Sequence, residues 1–257
     1  MARWTAFEHC SAYPFDAARL KRNWKKLHRG DQEPLPKDAR VVAAWVYFHS
    51  GAFEKAADAG LMAGDAGTTV ANKATCVYAN YLEPKEKVRL ELFMQVAQRA
   101  AEQTKADPSN ANAFYWQAYA LGRYSQGISV AKALAQGIGS KVKSALETAI
   151  KLDPLHADAH IALGSFHAEV IDKVGALIGN MTYGAKKDTS LKLFQKAMSL
   201  SPDSAIAMIE YANALVMLEG DNRVDEATRL YEQAASTKPL DATQHLDREL
   251  AKTELAS

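Results

Sequence analysis

His156, His160 and His167 stand four and seven residues apart, a spacing that can set imidazoles on one helix face, where their nitrogens could gather a metal ion. Glu169 and Asp172, close behind His167, would add the carboxylates of an acid–base site. Two considerations weigh against that chemistry. In the repeat register set out below, His160 and His167 fall at helix-packing positions, where neighbours satisfy their ring nitrogens. The sequence also has no His-Glu-x-x-His and no paired Glu-x-x-His of the di-iron kind. Gly137-Ile138-Gly139-Ser140-Lys141 has the look of a phosphate loop, but that loop needs lysine directly after glycine and a strand before it, and neither is present. Gly164-Ser165 and Gly127-Ile128-Ser129 both miss the last glycine of Gly-x-Ser-x-Gly, so no serine hydrolase elbow is expected. The segment from Arg19 to Arg29 carries six basic residues in eleven. Its Leu20, Trp24 and Leu27 make an apolar stripe suited to docking on a neighbouring helix, with the charges left in water. These residues predict neither catalysis nor a metal or cofactor.

The elements that would position such side chains are helices. Apolar residues recur at helical spacing throughout, and strand-like alternation is nearly absent. The 257 residues are 48% hydrophobic and 24% charged, enough apolar material for a substantial core in a globular chain. A net charge of +1 gives no reason to expect nucleic acid as a partner. No apolar run reaches the length of a transmembrane helix, the first 30 residues lack a secretory apolar stretch, and two cysteines make no disulfide framework. A cytoplasmic location is expected.

Repeats organise the chain. Pro108, Pro154, Pro202 and Pro239 each close a helical stretch, since proline cannot continue a helix interior. Ala149, Ala197 and Ala234 lie five residues before three of these prolines, and Leu146, Phe194 and Tyr231 eight before. Ala111, Ala157 and Ala205 lie three residues after a proline, and Ala118, Gly164 and Ala212 ten after. Small residues at fixed positions let two helices approach closely while the large ones fill the groove between them. The prolines are 46, 48 and 37 residues apart, and the excess falls between the helices of a unit, at 122–140 and 168–188. Upstream, a helix is expected over Asp16–His28, a linker over Asp31–Pro36, a helix pair over 38–63, a helix over 70–82, and a long helix opened by Pro84 and running to about Lys105. Residues 1–36 are therefore expected to be a capping helix with its linker, and 37–257 one repeat array.

The pattern resembles the tetratricopeptide repeat, a helix–turn–helix unit of about 34 residues, and Ser50-Gly51-Ala52-Phe53-Glu54-Lys55-Ala56 matches the turn between its two helices. Residues from Trp116-Gln117-Ala118-Tyr119-Ala120-Leu121-Gly122 onward are similar to the regulator of microtubule dynamics family. The further carriers are Ser144-Ala145-Leu146-Glu147-Thr148-Ala149-Ile150-Lys151-Leu152-Asp153-Pro154, Ala159-His160-Ile161-Ala162-Leu163-Gly164, Leu193-Phe194-Gln195-Lys196-Ala197 and the run from Asp241 to Leu250. The same region is similar to the T component of bacterial tripartite transporters. These resemblances imply an all-helical, non-enzymatic interaction fold, with lipid or another small ligand held inside the array in some branches. Neither the membrane anchor of some animal members nor a lipoprotein signal is expected here.

The expected fold is an all-α, tetratricopeptide-like helical-hairpin solenoid with elongated, irregular repeats. Such a solenoid turns the first helix of each unit inward to form a concave binding face. In this register the face is built from Asn112, Tyr115, Tyr119 and Arg123, then Asp158, Ser165 and Glu169, then Asn213 and Met217. Tyr115, Tyr119 and Arg123 fall on one ridge at i, i+4 and i+8, of residue types that dominate binding hot spots. The lysine-plus-asparagine pair by which some tetratricopeptide domains hold a peptide carboxylate is not evident in that register. The expected function is a non-catalytic scaffold for a protein or peptide partner. The alternative is a carrier or sensor that encloses a lipid or other small apolar ligand, with the two inserts as its walls.

Overall fold

A computed structural model describes residues 4–256, and their regular structure is helical. Contacts divide the chain into two compact units: Met1–His28 with Glu33–Leu152 and Asp241–Thr243, and Arg29–Gln32 with Asp153–Leu240 and Gln244–Ser257.

The first unit holds α1 (Ala17–Leu27) and three hairpins: α2 (Ala39–His49) with α3 (Phe53–Met62), α4 (Thr68–Tyr81) with α5 (Glu86–Ala106), and α6 (Ala111–Gln126) with α8 (Ile138–Leu152). A short helix, α7 (Val130–Ala135), interrupts the last of these. Leu20, Trp24 and Leu27 of α1 are buried, and the Trp24 ring meets Trp45 of α2 edge-on at 5.6 Å. The basic residues of α1 stay at the surface, as its apolar stripe predicts. The long helix begins at Glu86 with Lys85 as its cap, so Pro84 lies just outside it rather than in its first turn.

The second unit pairs α9 (Ala157–Val174) with α11 (Lys187–Leu200) around the short α10 (Ala176–Tyr183), and α12 (Ala205–Glu219) with α13 (Val224–Ala235). Helix α14 (Ala242–Ala256) ends the chain. The elongation of the repeats thus has two sources: first helices of 16 and 18 residues in α6 and α9, and a short extra helix after each. Gly175 (φ +81°) and Gly184 (φ +65°) set off α10 at either end, in backbone conformations that side chains with a Cβ disfavour.

Three of the four repeat prolines sit inside turns built the same way. Two residues after Pro108, Pro154 and Pro202 come Asn110, His156 and Ser204, whose side chains accept from the backbone N–H three residues on and cap the next helix. Small residues then let the paired helices close up: Ala118, Ala149, Ala157, Ala197, Ala212 and Ala234 are all essentially inaccessible. At Gly164 the approach leaves no room for a side chain, since a Cβ there would lie 2.8 Å from Phe194 Cε2. Phe194, fully buried, stacks on Tyr211 with centroids 5.2 Å apart and anchors the core of the second unit. Phe194→Ala is expected to lower stability by about 3–5 kcal/mol, read as a lower urea midpoint at unchanged denaturant slope.

Candidate functional site

Helix α6 carries the predicted ridge. Asn112 is buried and donates from Nδ2 to Glu33 Oε2 at 2.7 Å. Tyr115 is also buried, packed edge-on against Trp116 at 4.8 Å and tilted against Tyr119 at 6.0 Å. Tyr119 is half-buried, and the Arg123 guanidinium lies over its ring at 5.3 Å from the centroid. Arg123 also donates to Gln126 Oε1 at 3.3 Å. Asn112 and Tyr115 thus form the support of the ridge, and Tyr119 and Arg123 its partly exposed crest. A guanidinium held over an aromatic face is an ordered cationic surface that gives up little freedom when it binds.

The remaining predicted residues belong to the second unit. The Asp158 backbone N–H donates to the Gly30 carbonyl at 3.0 Å, and its carboxylate occupies the space a Cβ on Gly30 would need. Ser165 donates to Glu210 Oε2 at 3.2 Å, joining α9 to α12. Glu169 pairs with Lys173 at 3.7 Å. Asn213 accepts from the Tyr231 hydroxyl, and burial, with Glu254 and Glu210 nearby, pushes that phenol up to about 12. Met217 is 39% exposed. Asp158, Ser165, Glu169 and Asn213 therefore carry polar links within the unit, while Met217 offers apolar surface.

The three histidines with metal-like spacing are engaged one by one. His156 Nδ1 caps α9 by accepting from Ala159 N at 3.1 Å. His167 Nδ1 accepts from the Lys186 backbone N–H at 3.2 Å, fixing the residue before α11. His160 Nε2 lies 3.1 Å from the Pro154 carbonyl, which can only accept, so Nε2 bears the proton and Nδ1 is left buried without a partner. Among the described residues no group of three or more His, Cys, Asp or Glu is placed to hold a metal.

Two polar clusters in the first unit have no counterpart in the sequence reading. One is a buried chain in which His49 Nδ1 meets Asp241 Oδ2 at 2.6 Å and His49 Nε2 meets His28 Nε2 at 3.2 Å. His28 is itself stacked under Trp24 at 4.0 Å. Its only sequence signal is His49 closing an otherwise apolar stretch of α2, since Asp241 is 192 residues away. The other is a seam of uncharged polar side chains around Arg99, between α4 and α5.

The sequence matches the family model of regulator of microtubule dynamics protein 1-3 over residues 65–256. No curated relative matches. Among solved structures, the crystal structure of a thermophilic TPR protein from Thermus thermophilus superposes with a TM-score of 0.58 at 15% identity, covering 83% of this chain and 97% of that one. At that identity the likeness is one of fold: an all-α, tetratricopeptide-like helical solenoid.

Burial holds the His160 imidazole below its ordinary value, with Lys196 adding to the effect, although the Pro154 carbonyl opposes it. The folded state therefore binds this proton less readily than the unfolded chain does. Its contribution to stability is present above the ordinary histidine range and is lost as pH falls through that range. The urea midpoint is expected to fall between pH 7.5 and pH 5, and His160→Gln is expected to shrink that fall.

Proposed function

We propose that this chain, which belongs to the regulator of microtubule dynamics family, is a non-catalytic interaction scaffold that docks a protein or peptide partner on the first helices of its hairpins. The observation that carries this reading is the exposure of the two inserts. Val130 and Leu134 of α7 are 46% and 49% exposed, and Leu177, Ile178 and Met181 of α10 are 74%, 57% and 79% exposed. A carrier that walled off a lipid or other small apolar ligand with these inserts would turn such side chains inward, because ligand cavities are lined by apolar groups. Their exposure favours an open binding face over an enclosed one. Among the described residues no helix is long and apolar enough to cross a membrane. Two free cysteines, Cys10 and Cys76, suit the reducing cytoplasm, where we put the protein.

Within this reading Tyr119 and Arg123 make the primary contact in the first unit, with Asn112 and Tyr115 holding them from behind. In the second unit, taken by itself, the candidate contacts are Asp158, Ser165, Glu169, Asn213 and Met217. The titratable groups that could run an acid–base reaction are tied into helix caps and packing, which supports a binding role without catalysis.

Native mass spectrometry beside the denatured mass tests the choice between scaffold and carrier. A scaffold is expected to show its apo mass alone; a discrete adduct lost on denaturation would replace that reading with the carrier. Because the family is named for microtubule dynamics, polymerised tubulin is the first partner to present. With a captured partner in hand, Tyr119→Ala combined with Arg123→Ala is expected to weaken binding at least about tenfold. Unchanged affinity would overturn the assignment of the face.

A further inference from the structure

Arg99 projects from α5 into a setting unusual for a cation. Its Nε donates to Asn72 Oδ1 at 3.0 Å and its Nη2 to Thr75 Oγ1 at 3.2 Å, both on α4. The Thr75 hydroxyl is itself directed to the Ala71 carbonyl at 2.7 Å, so its oxygen is free to accept from Arg99. One turn along α5, Gln103 Nε2 donates to Thr69 Oγ1 at 3.0 Å. Every one of these partners is neutral. Arg99 forms no ion pair among the described residues, and burial holds its guanidinium below its ordinary value.

A guanidinium has five N–H donors, and the two bonds to α4 leave three without a protein acceptor. Asn72, fully buried, turns its oxygen to Arg99 and so holds its Nδ2 beside the same guanidinium, with no acceptor of its own. Gln103 Oε1 is likewise buried without a donor. The charges felt at the buried Cys76 thiol on α4 are the guanidiniums of Arg99 and Arg123, both positive. Buried cations are ordinarily paired and buried donors ordinarily bonded. This seam holds a half-buried cation and an idle amide side by side, and Arg99 keeps enough exposure to be reached from solvent.

We infer that Arg99, backed by the Asn72 amide, anchors the carboxylate of an acidic side chain carried by the partner protein. A carboxylate is the anion that fits. Its two coplanar oxygens match the guanidinium fork, and its single charge needs only the one cation whose direct partners are neutral, Arg123 being engaged with Tyr119 and Gln126. A phosphate dianion would call for a second cation in contact. Arg99 stands on the second helix of its hairpin, outside the first-helix register from which the concave face was read. The inference rests on the binding-module reading and adds to it the chemistry the partner must present.

The test uses the full chain, isotopically labelled, and reads the Arg99 Nε–H and Asn72 Nδ2 signals by NMR at constant ionic strength. The probes are acetyl-Gly-Glu-Gly-Glu-amide, its glutamine counterpart, and inorganic phosphate. The acidic peptide is expected to shift both signals saturably, the glutamine peptide is expected to leave them in place, and phosphate is expected to act more weakly. Arg99→Lys, which keeps the charge without the fork, is expected to bind the acidic peptide at least tenfold more weakly, and Arg99→Gln is expected to lose the response. Unmoved signals, equal shifts from both peptides, or a response to phosphate alone would each overturn the carboxylate anchor. The wild-type titration needs no variant to fold. It is also independent of partner capture, so loss of the anchor and loss of the scaffold reading are told apart.

Discussion

Close approach of paired helices is the constraint on which the other features depend. At Gly164 nothing larger than hydrogen fits beside the Phe194 ring, and the buried alanines at matching places in other hairpins impose the same limit. Helices brought this near must start and stop in fixed places, because a shift of one residue would present a larger side chain to the contact. The proline turns supply that punctuation. Pro108, Pro154 and Pro202 each lie two residues before the residue whose side chain caps the next helix, so the cap and the small-residue contact are held in register.

The same constraint explains why candidate catalytic residues became structural ones. Pairing two helices brings the start of the second close to side chains on the first. His167 serves such a junction at Lys186, across the insert that holds α10, and Ser190 donates to the Gly164 carbonyl beside Phe194. The polar groups of α9 are consumed in making neighbouring helices fit. On α6, Tyr119 and Arg123 keep partial exposure instead.

Much of the architecture was legible in sequence because it is written at short range. The prolines and the alanines at fixed offsets each signal their role within about ten residues, and the helices follow them. The ridge from Tyr115 to Arg123 was legible as a ridge, since i, i+4 spacing survives in any helix. Which of its members would be covered was not, because burial at Asn112 and Tyr115 depends on residues as distant as Glu33. The insert helices α7 and α10 were visible only as excess length. The Arg99 seam escaped entirely: arginine, asparagine, threonine and glutamine on two ordinary helices carry no pattern until the helices are laid together.

The bond between His49 and Asp241 has a consequence for the order in which this chain is made. The first unit is not finished by its own stretch of sequence, because residues 241–243 complete it only after Asp153–Leu240 of the second unit have been synthesised. During translation, α2 emerges early and its terminal imidazole waits 192 residues for the carboxylate it is built to meet. Helical arrays rich in neighbouring contacts fold quickly by local propagation, and this one adds a long-range closure to that process. On the ribosome, the nascent first unit therefore lacks the His49–Asp241 clasp until residues 241–243 emerge, and its final consolidation is set by that late segment.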